Sequence, residues 1–506
     1  MEKRISGKGK GTQMRKEAVK RKGRQEEPGT GRKEGPASGG KAKGERDITG
    51  GESEKNVGRG PGKENAKSGA SRSSRGRAER GGGQAKAAKG QLTKKDVGAK
   101  GGTGPRKGEA IIKDHMEEGQ KAVKLTGRLC KVSQICGGCP YLHLPYEEQL
   151  KLKQQQLNKQ LHKFAKVYPI VGMENPLHYR NKVHAVFGYR KGEVVSGVYQ
   201  EGTHKLVPVE QCVIEDEKAD EIIASVRGLV KSFKIRTYDE DRGYGLLRHV
   251  LVRRGFATGE TMVVLVTASP VFPSKNNFVK ELLRKHPEIT TIVQNINGRD
   301  TNMVLGEREQ ILWGKGYIED ELCGYRFRIS SRSFYQVNPV QTTRLYQKAV
   351  ALAELTGQES VLDAYCGIGA MGILASGKAR QVVGVESNPD AVRDAVKNAR
   401  RNKVSNIQFY CNDATQFMAQ MAADGERLDV VIMDPPRCGS TEEFVKAVAA
   451  VKAKRVVYVS CGPDTLARDL AVFQGLGYQA EGVWGYDLFP ETRHVETVVL
   501  IQRKDT

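Results

Sequence analysis

The second half of the chain contains short, largely apolar runs separated by segments with a helical pattern. The runs are rich in β-branched residues and lie at residues 361–363, 382–385, 430–433 and 456–459. Residues 390–402 are a predicted helix between two of them. Because strands buried on both faces are apolar at nearly every position, this alternation predicts a parallel sheet with helices on both sides.

Upstream of residue 325 the pattern is different. Residues 147–161 are polar, but leucines at 150, 157 and 161 fall on one stripe, which predicts an amphipathic helix. Between residues 176 and 300, β-rich runs such as 183–189 and 261–266 alternate with glycine-containing turns. This middle segment is therefore predicted to be a mixed α+β region.

The first 110 residues show no hydrophobic period at all. They hold 30 basic and 13 acidic residues and 26 of the 58 glycines, so they carry +17 of the net charge of +24. Such a segment cannot bury enough apolar surface to offset its ordering entropy, and we expect a disordered basic arm that contacts nucleic-acid phosphates. The alternative is a solvated tail without a partner.

No apolar run reaches the roughly 18 residues needed to span a bilayer, and the basic N-terminus is not followed by the apolar stretch of a secretory signal. We expect a soluble, cytoplasmic protein that does not bind membranes and has no obligate protein partner.

The run at 361–363 leads into a tight glycine turn that predicts a nucleotide-type site. Asp363 is followed by Gly367 and Gly369, and Glu386 closes the next apolar run, where a carboxylate can accept both hydroxyls of a ribose. Asp413 follows another predicted strand and is placed to meet an adenine amine. The glycine spacing differs from the dinucleotide pattern G-x-G-x-x-G, which favours S-adenosylmethionine over NAD.

Nine cysteines in a chain expected to be intracellular indicate metal, catalysis or packing rather than disulfides. Cys130, Cys136 and Cys139, together with the distant Cys212, supply four thiolates for zinc or for a four-iron four-sulfur cluster. The five-residue gap after Cys130 does not fit common zinc-finger spacing. The sequence therefore favours a structural iron–sulfur cluster, with zinc as the second choice.

Three further positions have two interpretations each. Cys461 ends an apolar run and is either a nucleophile or a packing residue. Asp434, followed by two prolines and Arg437, either faces a planar polar substrate or belongs to a simple turn. Glu496 is either a general base or an exposed carboxylate at the start of a strand.

Taken together, these motifs resemble the RNA uracil-5-methyltransferase family, in particular the iron–sulfur branch that contains the 23S ribosomal RNA (uracil-5-)-methyltransferases. The resemblance covers about residues 126–503. Its motifs are the C-x5-C-G-G-C run with Cys212, HYRNK at 178–182, SFYQVN at 333–338, LDAYCG at 362–367, DPPR at 434–437, YVSC at 458–461 and HVE at 494–496.

The resemblance implies a role for each matching residue. It makes Cys461 the nucleophile, Glu496 the base, and Cys130, Cys136, Cys139 and Cys212 the cluster ligands. The residues implied for S-adenosylmethionine are Gln336, Tyr365, Glu386 and Asp434, with Asp413 as a weaker candidate. Ala370 stands where the family often has Asn, and the small RNA-binding β-barrel that precedes the cluster in many members is not recognisable.

The implied fold is a Rossmann-like class I S-adenosylmethionine-dependent methyltransferase domain at 326–506. It is preceded by an iron–sulfur and RNA-binding region at 113–325 and by the basic arm at 1–112. The implied reaction is methylation of carbon 5 of a uridine in RNA, through attack of Cys461 on carbon 6. The expected substrate is 23S ribosomal RNA. The alternatives are a transfer RNA methyltransferase and a non-catalytic iron–sulfur RNA-binding protein.

Overall fold

The predicted parallel strands lie in an eight-stranded sheet in the computed structural model, which describes residues 130–301 and 303–504. The strands of this sheet are β1 (Lys166–Val167), β11 (Ser360–Ala364), β12 (Gln381–Glu386), β13 (Ile407–Cys411), β14 (Val430–Met433), β15 (Arg455–Ser460), β16 (Tyr478–Tyr486) and β17 (Glu496–Arg503). They are ordered β1-β16-β17-β15-β14-β11-β12-β13. All four predicted runs are strands, and β11 to β15 are parallel, as expected.

One central strand differs from the prediction of a parallel sheet. β17 lies between β15 and β16 and is antiparallel to both. The segment that joins β16 to β17, residues 487–495, is shorter than the dozen or more residues that a parallel crossover requires, so the chain has to reverse direction.

The middle of the chain forms a second sheet, so the predicted mixed α+β region is confirmed. Its strands are β2 (Lys182–Arg190), β3 (Glu193–Tyr199), β4 (Leu206–Pro208), β5 (Leu247–Arg254), β6 (Thr261–Thr267), β7 (Ile289–Ile296) and β8 (Arg308–Gly314), in the order β4-β3-β2-β5-β6-β7-β8. A hairpin of β9 (Tyr317–Leu322) and β10 (Tyr325–Ser330) leads from this sheet toward the eight-stranded one. One buried apolar cluster contains residues of both sheets and of the hairpin, among them Met262, Phe327 and Val457.

The helices of the described residues flank these sheets. They are α1 (Ser133–Cys136), α2 (Tyr146–Leu161), α3 (Glu217–Ser232), α4 (Lys275–Lys285), α5 (Pro339–Leu352), α6 (Ala370–Ser376), α7 (Pro389–Arg401), α8 (Ala414–Ala423), α9 (Glu442–Ala450) and α10 (Pro463–Gly475). None of them is long and apolar enough to cross a membrane. The predicted arm at 1–112 lies outside the described residues.

The predicted helix at 147–161 is confirmed as α2, but its buried face is not the leucine stripe alone. Leu157 and Leu161 are buried in the core of the eight-stranded sheet, whereas Leu150 is half-buried. Two polar residues, Gln149 and Lys153, complete the buried face. They are buried because they meet charged partners in the segment before β17, which a hydrophobicity pattern cannot reveal.

Candidate active site

A cavity of about 570 Å³ opens at the edge of the eight-stranded sheet where the parallel strands end. Ligand crevices of open α/β sheets lie at this edge. All seven residues predicted for the cofactor and for catalysis line it. They are Gln336, Tyr365, Glu386, Asp413, Asp434, Cys461 and Glu496.

The turn after β11 brings the backbone close to this cavity. Tyr365, Gly367 and Gly369 all have positive φ, at 64°, 56° and 81°. A Cβ on Gly369 would lie 2.7 Å from the Phe409 ring, whereas the space beside the Cα of Gly367 is open. Gly369 is therefore required for the turn, and Gly367 leaves room for a ligand.

Glu386 ends β12 and faces the same turn. Its carboxylate accepts hydrogen bonds from the backbone N–H of Gly367 (3.1 Å) and of Asn388 (2.8 Å). These bonds fix the carboxylate at the cavity wall, where it can accept ribose hydroxyls. One oxygen of Asp413 is already used, because it accepts the Gln416 N–H (3.0 Å) and caps α8.

Gln336 and Tyr365 also line the cavity. The backbone carbonyl of Gln336 accepts a hydrogen bond from the side-chain amide of Asn181 (3.0 Å), which ties this residue to the start of β2. The ring of Tyr365 packs against Phe444 with a centroid separation of 5.7 Å. The donor and acceptor groups that line the cavity, together with the open glycine turn, fit a nucleoside with a charged tail such as S-adenosylmethionine.

Cys461 and Glu496 are brought together by the register of β15 and β17. Ser460 pairs with Thr497, whose hydroxyl donates to the Ser460 carbonyl (3.1 Å), so the next residue on each side is Cys461 and Glu496. Directly opposed residues on antiparallel strands have Cβ atoms about 5 Å apart. The antiparallel direction of β17 is thus what places the carboxylate beside the thiol.

Burial and mutual repulsion dominate the electrostatics of this pair. Burial, reinforced by Asp434, raises the pKa of Glu496 to about 8, and burial raises the pKa of Asp434 to about 7. Burial and these two carboxyls raise the pKa of Cys461 to about 11, while the positive charge of Arg437 opposes both the Glu496 and the Cys461 shifts. Arg437 is therefore the cation that favours the ionised forms of the two groups.

The four predicted cluster cysteines lie in one neighbourhood. Cys130, Cys139 and Cys212 pack against a small apolar cluster that includes Tyr179. Burial raises the pKa of Cys139 to about 12, and Cys130 and Cys136 contribute by repulsion. Among the side chains in the described residues, no set of three or more His, Cys, Asp or Glu is arranged to hold a metal ion.

Among the cavity residues that were not predicted as site residues are Arg437, His494 and Phe489. Arg437 and His494 stand in the same short sequence motifs as Asp434 and Glu496. That proximity along the chain could have been used to predict that they line the cavity. Phe489 also lines the cavity and stacks edge-on against His494 at 6.0 Å. It lies in the segment between β16 and β17, and nothing in the local sequence indicates its position.

The sheet order, the glycine turn and the cavity define a class I S-adenosylmethionine-dependent methyltransferase. Residues 145–504 match the family model described as tRNA (uracil-5-)-methyltransferase. The chain belongs to this family and is an S-adenosylmethionine-dependent RNA (uracil-5-)-methyltransferase.

Two curated relatives and one solved structure illustrate the similarity. The chain is 43% identical over 381 residues to a protein of Halalkalibacterium halodurans named as an uncharacterized RNA methyltransferase, covering 74% of this chain and 83% of that one. A Bacillus cereus protein of the same description is 42% identical over 379 residues, covering 74% and 82%. The crystal structure of Pyrococcus abyssi tRNA (uracil-54, C5)-methyltransferase with S-adenosyl-L-homocysteine superposes with a TM-score of 0.61 at 28% identity, covering 72% of this chain and 86% of that one.

Proposed function

We propose that this enzyme methylates carbon 5 of a uridine in 23S ribosomal RNA through a covalent adduct between Cys461 and carbon 6 of the uracil. The observation that carries the chemistry is the pairing of β15 with β17, which sets a thiol beside a buried carboxyl in one cavity. The choice of 23S RNA is supported by the C-x5-C-G-G-C run at 130–139, because the resemblance of that run is to the ribosomal branch.

In the proposed mechanism, the Cys461 thiolate adds to carbon 6 and the electron pair of the 5,6 double bond moves toward carbon 5 and the carbonyl oxygen. S-adenosylmethionine would supply the methyl group: carbon 5 would attack the methyl carbon, the S–CH3 bond would break, and S-adenosylhomocysteine would leave with the electron pair. Glu496 then takes the carbon 5 proton, the double bond re-forms, and the thiolate leaves carbon 6. Arg437 favours the ionised forms of Cys461 and Glu496 during these steps.

The uracil has to reach the thiol outside any base stack. Bases inside a helix are not accessible to such a cavity, so the target nucleotide is flipped out or lies in a loop. Phe334 lies on the cavity wall with 60% of its surface exposed, and it offers an aromatic face to such a base. Gln336, Tyr365, Glu386 and Asp434 are the proposed cofactor contacts, with Asp413 as a weaker one.

The test of substrate and chemistry is methyl transfer from labelled S-adenosylmethionine to unmodified ribosomal and transfer RNA, counted separately. We expect 5-methyluridine in the large ribosomal RNA. Label in transfer RNA alone would instead support the second candidate, a transfer RNA methyltransferase, which the similarity to the Pyrococcus abyssi enzyme favours. Cys461→Ala should lower the rate by at least ~10³-fold. Cys323→Ala, in the β9–β10 turn away from the cavity, is the matched control.

The role of Glu496 has a separate signature. If Glu496 removes the carbon 5 proton, Glu496→Gln should complete methylation but retain the RNA on Cys461. A stable adduct would then migrate slowly on a denaturing gel. Glu443→Gln, an exposed carboxylate on α9, should release its product normally. A rapid, adduct-free turnover by the Glu496 variant would show that another group is the base.

We also propose that Cys130, Cys136, Cys139 and Cys212 bind a four-iron four-sulfur cluster that supports the RNA-binding region. Four half-buried thiols in one neighbourhood are the donor set that such a cluster uses, and binding would require their side chains to turn toward a common point. Protein purified without oxygen should be brown and contain about four iron and four sulfide per chain. Cys136→Ser should lose both, whereas Cys438→Ser, on the exposed turn after β14, should keep them. A colourless protein with bound zinc would overturn the proposal.

A further inference from the structure

A second cavity, of about 780 Å³, lies at the end of the seven-stranded sheet that is remote from the active site. We call it the distal groove; it is bounded by residues 186–190, 204–206 and 230–244. β2 runs from the active site, where Asn181 contacts Gln336, to Arg190 at the groove. A strand of nine residues spans about 30 Å, so the two cavities are separate sites.

The groove is lined by an excess of basic side chains. They are Arg190, Lys205, Lys231, Lys234, Arg236 and Arg242. Lys231 is paired with Glu193 (2.7 Å). Arg190, Lys205 and Lys234 are exposed, and no acidic partner lies within ion-pair distance of them in the described part of the chain. These three cations are available to bind an anion.

The acidic residues of the groove are already engaged. Glu240 forms a paired contact with the buried Arg248 (2.6 and 3.0 Å). Asp241 contacts His204 (3.2 Å), and Asp239 accepts two backbone N–H groups of its own turn (3.1 Å each). The groove therefore presents a positive surface despite its three carboxylates.

Two tyrosines complete the groove with exposed aromatic faces. Tyr189 is 69% exposed and Tyr244 is 52% exposed. Arg236 lies 5.5 Å from the ring centre of Tyr244 and donates to its hydroxyl (2.9 Å), which holds the ring in place. Exposed aromatic rings set among unpaired cations are the features with which proteins bind unpaired nucleic-acid strands, by stacking on bases and contacting phosphates.

We infer that the distal groove binds a single-stranded segment of the substrate RNA about 30 Å from the target uridine. Arg190, Lys205 and Lys234 contact its phosphates, and Tyr189 and Tyr244 stack on its bases. The inference deepens the proposed function and rests on it, since it concerns a second segment of the RNA that is methylated. The groove thereby contributes to the choice of RNA without touching the reacting base.

The charge test compares two double variants of the full-length protein. Lys205→Ala/Lys234→Ala removes two cations from the groove, and Lys280→Ala/Lys285→Ala removes two exposed cations from α4. Binding of labelled 23S and transfer RNA transcripts is titrated at several salt concentrations, without S-adenosylmethionine. For the groove variant we expect at least ~10-fold weaker binding, and a slope of log K against log salt that is smaller by about 1.4 for two lost contacts. Binding equal to that of the α4 variant would overturn the inference.

The stacking test uses the two tyrosines. Tyr189→Ala/Tyr244→Ala should weaken binding by at least about 30-fold, because each of the two lost stacked bases costs about 5- to 150-fold. Tyr189→Phe/Tyr244→Phe keeps both rings, loses the hydroxyl that accepts from Arg236, and should retain most of the wild-type affinity. A duplex competitor should displace the RNA poorly. Equal displacement by duplex and single strand would contradict the single-stranded assignment.

Turnover separates this inference from the proposed function. In the groove variants KM for a long RNA should rise while kcat is unchanged, and a short oligonucleotide carrying the target uridine should be methylated at the wild-type rate. If the wild type methylated no uridine, the proposed function would fail. Weaker RNA binding by the groove variants in that case would still support the assignment of the groove as an RNA-binding site. Normal turnover by the wild type, together with unaltered RNA binding by the groove variants, would contradict the inference about the groove and leave the proposed function intact.

Discussion

At the residue scale, the catalytic part of the cavity sets the cation of Arg437 beside three groups that become negative when they lose a proton, which are Asp434, Cys461 and Glu496. Arg437 faces Cys461 and Glu496, and Asp434 raises the pKa of both of these groups. The protonated forms are favoured because burial penalises each negative charge. At neutral pH the thiol and the proposed base are therefore mostly protonated, and the reaction depends on the small ionised fractions.

This balance predicts an alkaline activity profile. A base has to be ionised, and the ionised fraction of Glu496 rises with pH until it levels off above its pKa of about 8. The Cys461 thiolate fraction also rises, because the pKa of this thiol, about 11, lies higher still. In a single turnover, the release of methylated RNA free of the enzyme should accelerate from about pH 6.5 to pH 8.5.

Arg437 provides the control for this profile. Arg437→Gln removes the charge that lowers both pKa values, so its profile should move to higher pH, and Arg437→Lys should restore part of the shift. The measurement is the rate under saturating RNA and S-adenosylmethionine. A rate that is flat or falls with rising pH would contradict this account.

The site residues that could be predicted from the sequence are those that lie close along the chain to a predicted strand end. Cys461, Glu496 and Asp434 stand in short motifs next to strand ends, and the edge of a parallel sheet brings such ends together. Phe489 was missed because its position depends on the path of the segment between β16 and β17. The role of Arg437 as the local cation follows only from the burial of the groups around it.

At the element scale, α2 is tied to the segment that leads into β17. Lys153 Nζ lies 2.6 Å from the Asp487 carboxylate, and neither side chain is exposed. Lys153 also donates to the Phe489 carbonyl (3.0 Å), and the Gln149 amide donates to Glu491 (2.9 Å). These buried contacts fix the segment that carries Phe489 and His494 into the cavity.

Breaking this ion pair should be costly. Lys153→Met leaves the Asp487 carboxylate buried without its cation, and we expect the free energy of unfolding to fall by about 3–5 kcal/mol. Urea unfolding gives the measurement. Lys151→Met, an exposed position two residues away on α2, should change stability by less than about 0.5 kcal/mol. Equal stability of the two variants would mean that Asp487 finds another partner or is neutral.

The elements themselves were largely predictable, for a physical reason. Residues 430–433 and 456–459 are buried on both faces, so every position is apolar and the strands are visible in the sequence. The direction of β17 was not visible, because it is set by the length of the connection before it. The prediction of the buried face of α2 was also incomplete. Gln149 and Lys153 are polar, and they are buried only because they contact partners more than 300 residues away.

At the scale of the whole molecule, the charge is unevenly distributed. The net charge is +24, of which residues 1–110 carry +17. That segment lies outside the described residues, and its contact with RNA phosphates stays a prediction. Deletion of residues 1–110 should weaken RNA binding and flatten its salt dependence without abolishing methyl transfer.

The measurement is the same RNA titration at several salt concentrations, together with kcat. Binding that is unchanged by the deletion would show that the segment is a passive tail, and loss of turnover on a short oligonucleotide would show that it does more than bind phosphates.

The distal groove could not be predicted from the sequence. Its cations and tyrosines come from three separate segments, and only the sheet brings them together.

The position of β17 has a consequence for how the enzyme is made. β17 lies between β15 and β16, although both are synthesised before it. A nascent chain that has emerged as far as β16 therefore has Cys461 but no neighbouring Glu496, and the centre of its sheet is incomplete. Since domains generally fold as units, the sheet cannot be completed before β17 has emerged. The pair of thiol and carboxyl that we propose for catalysis is therefore assembled only after β17 has been made.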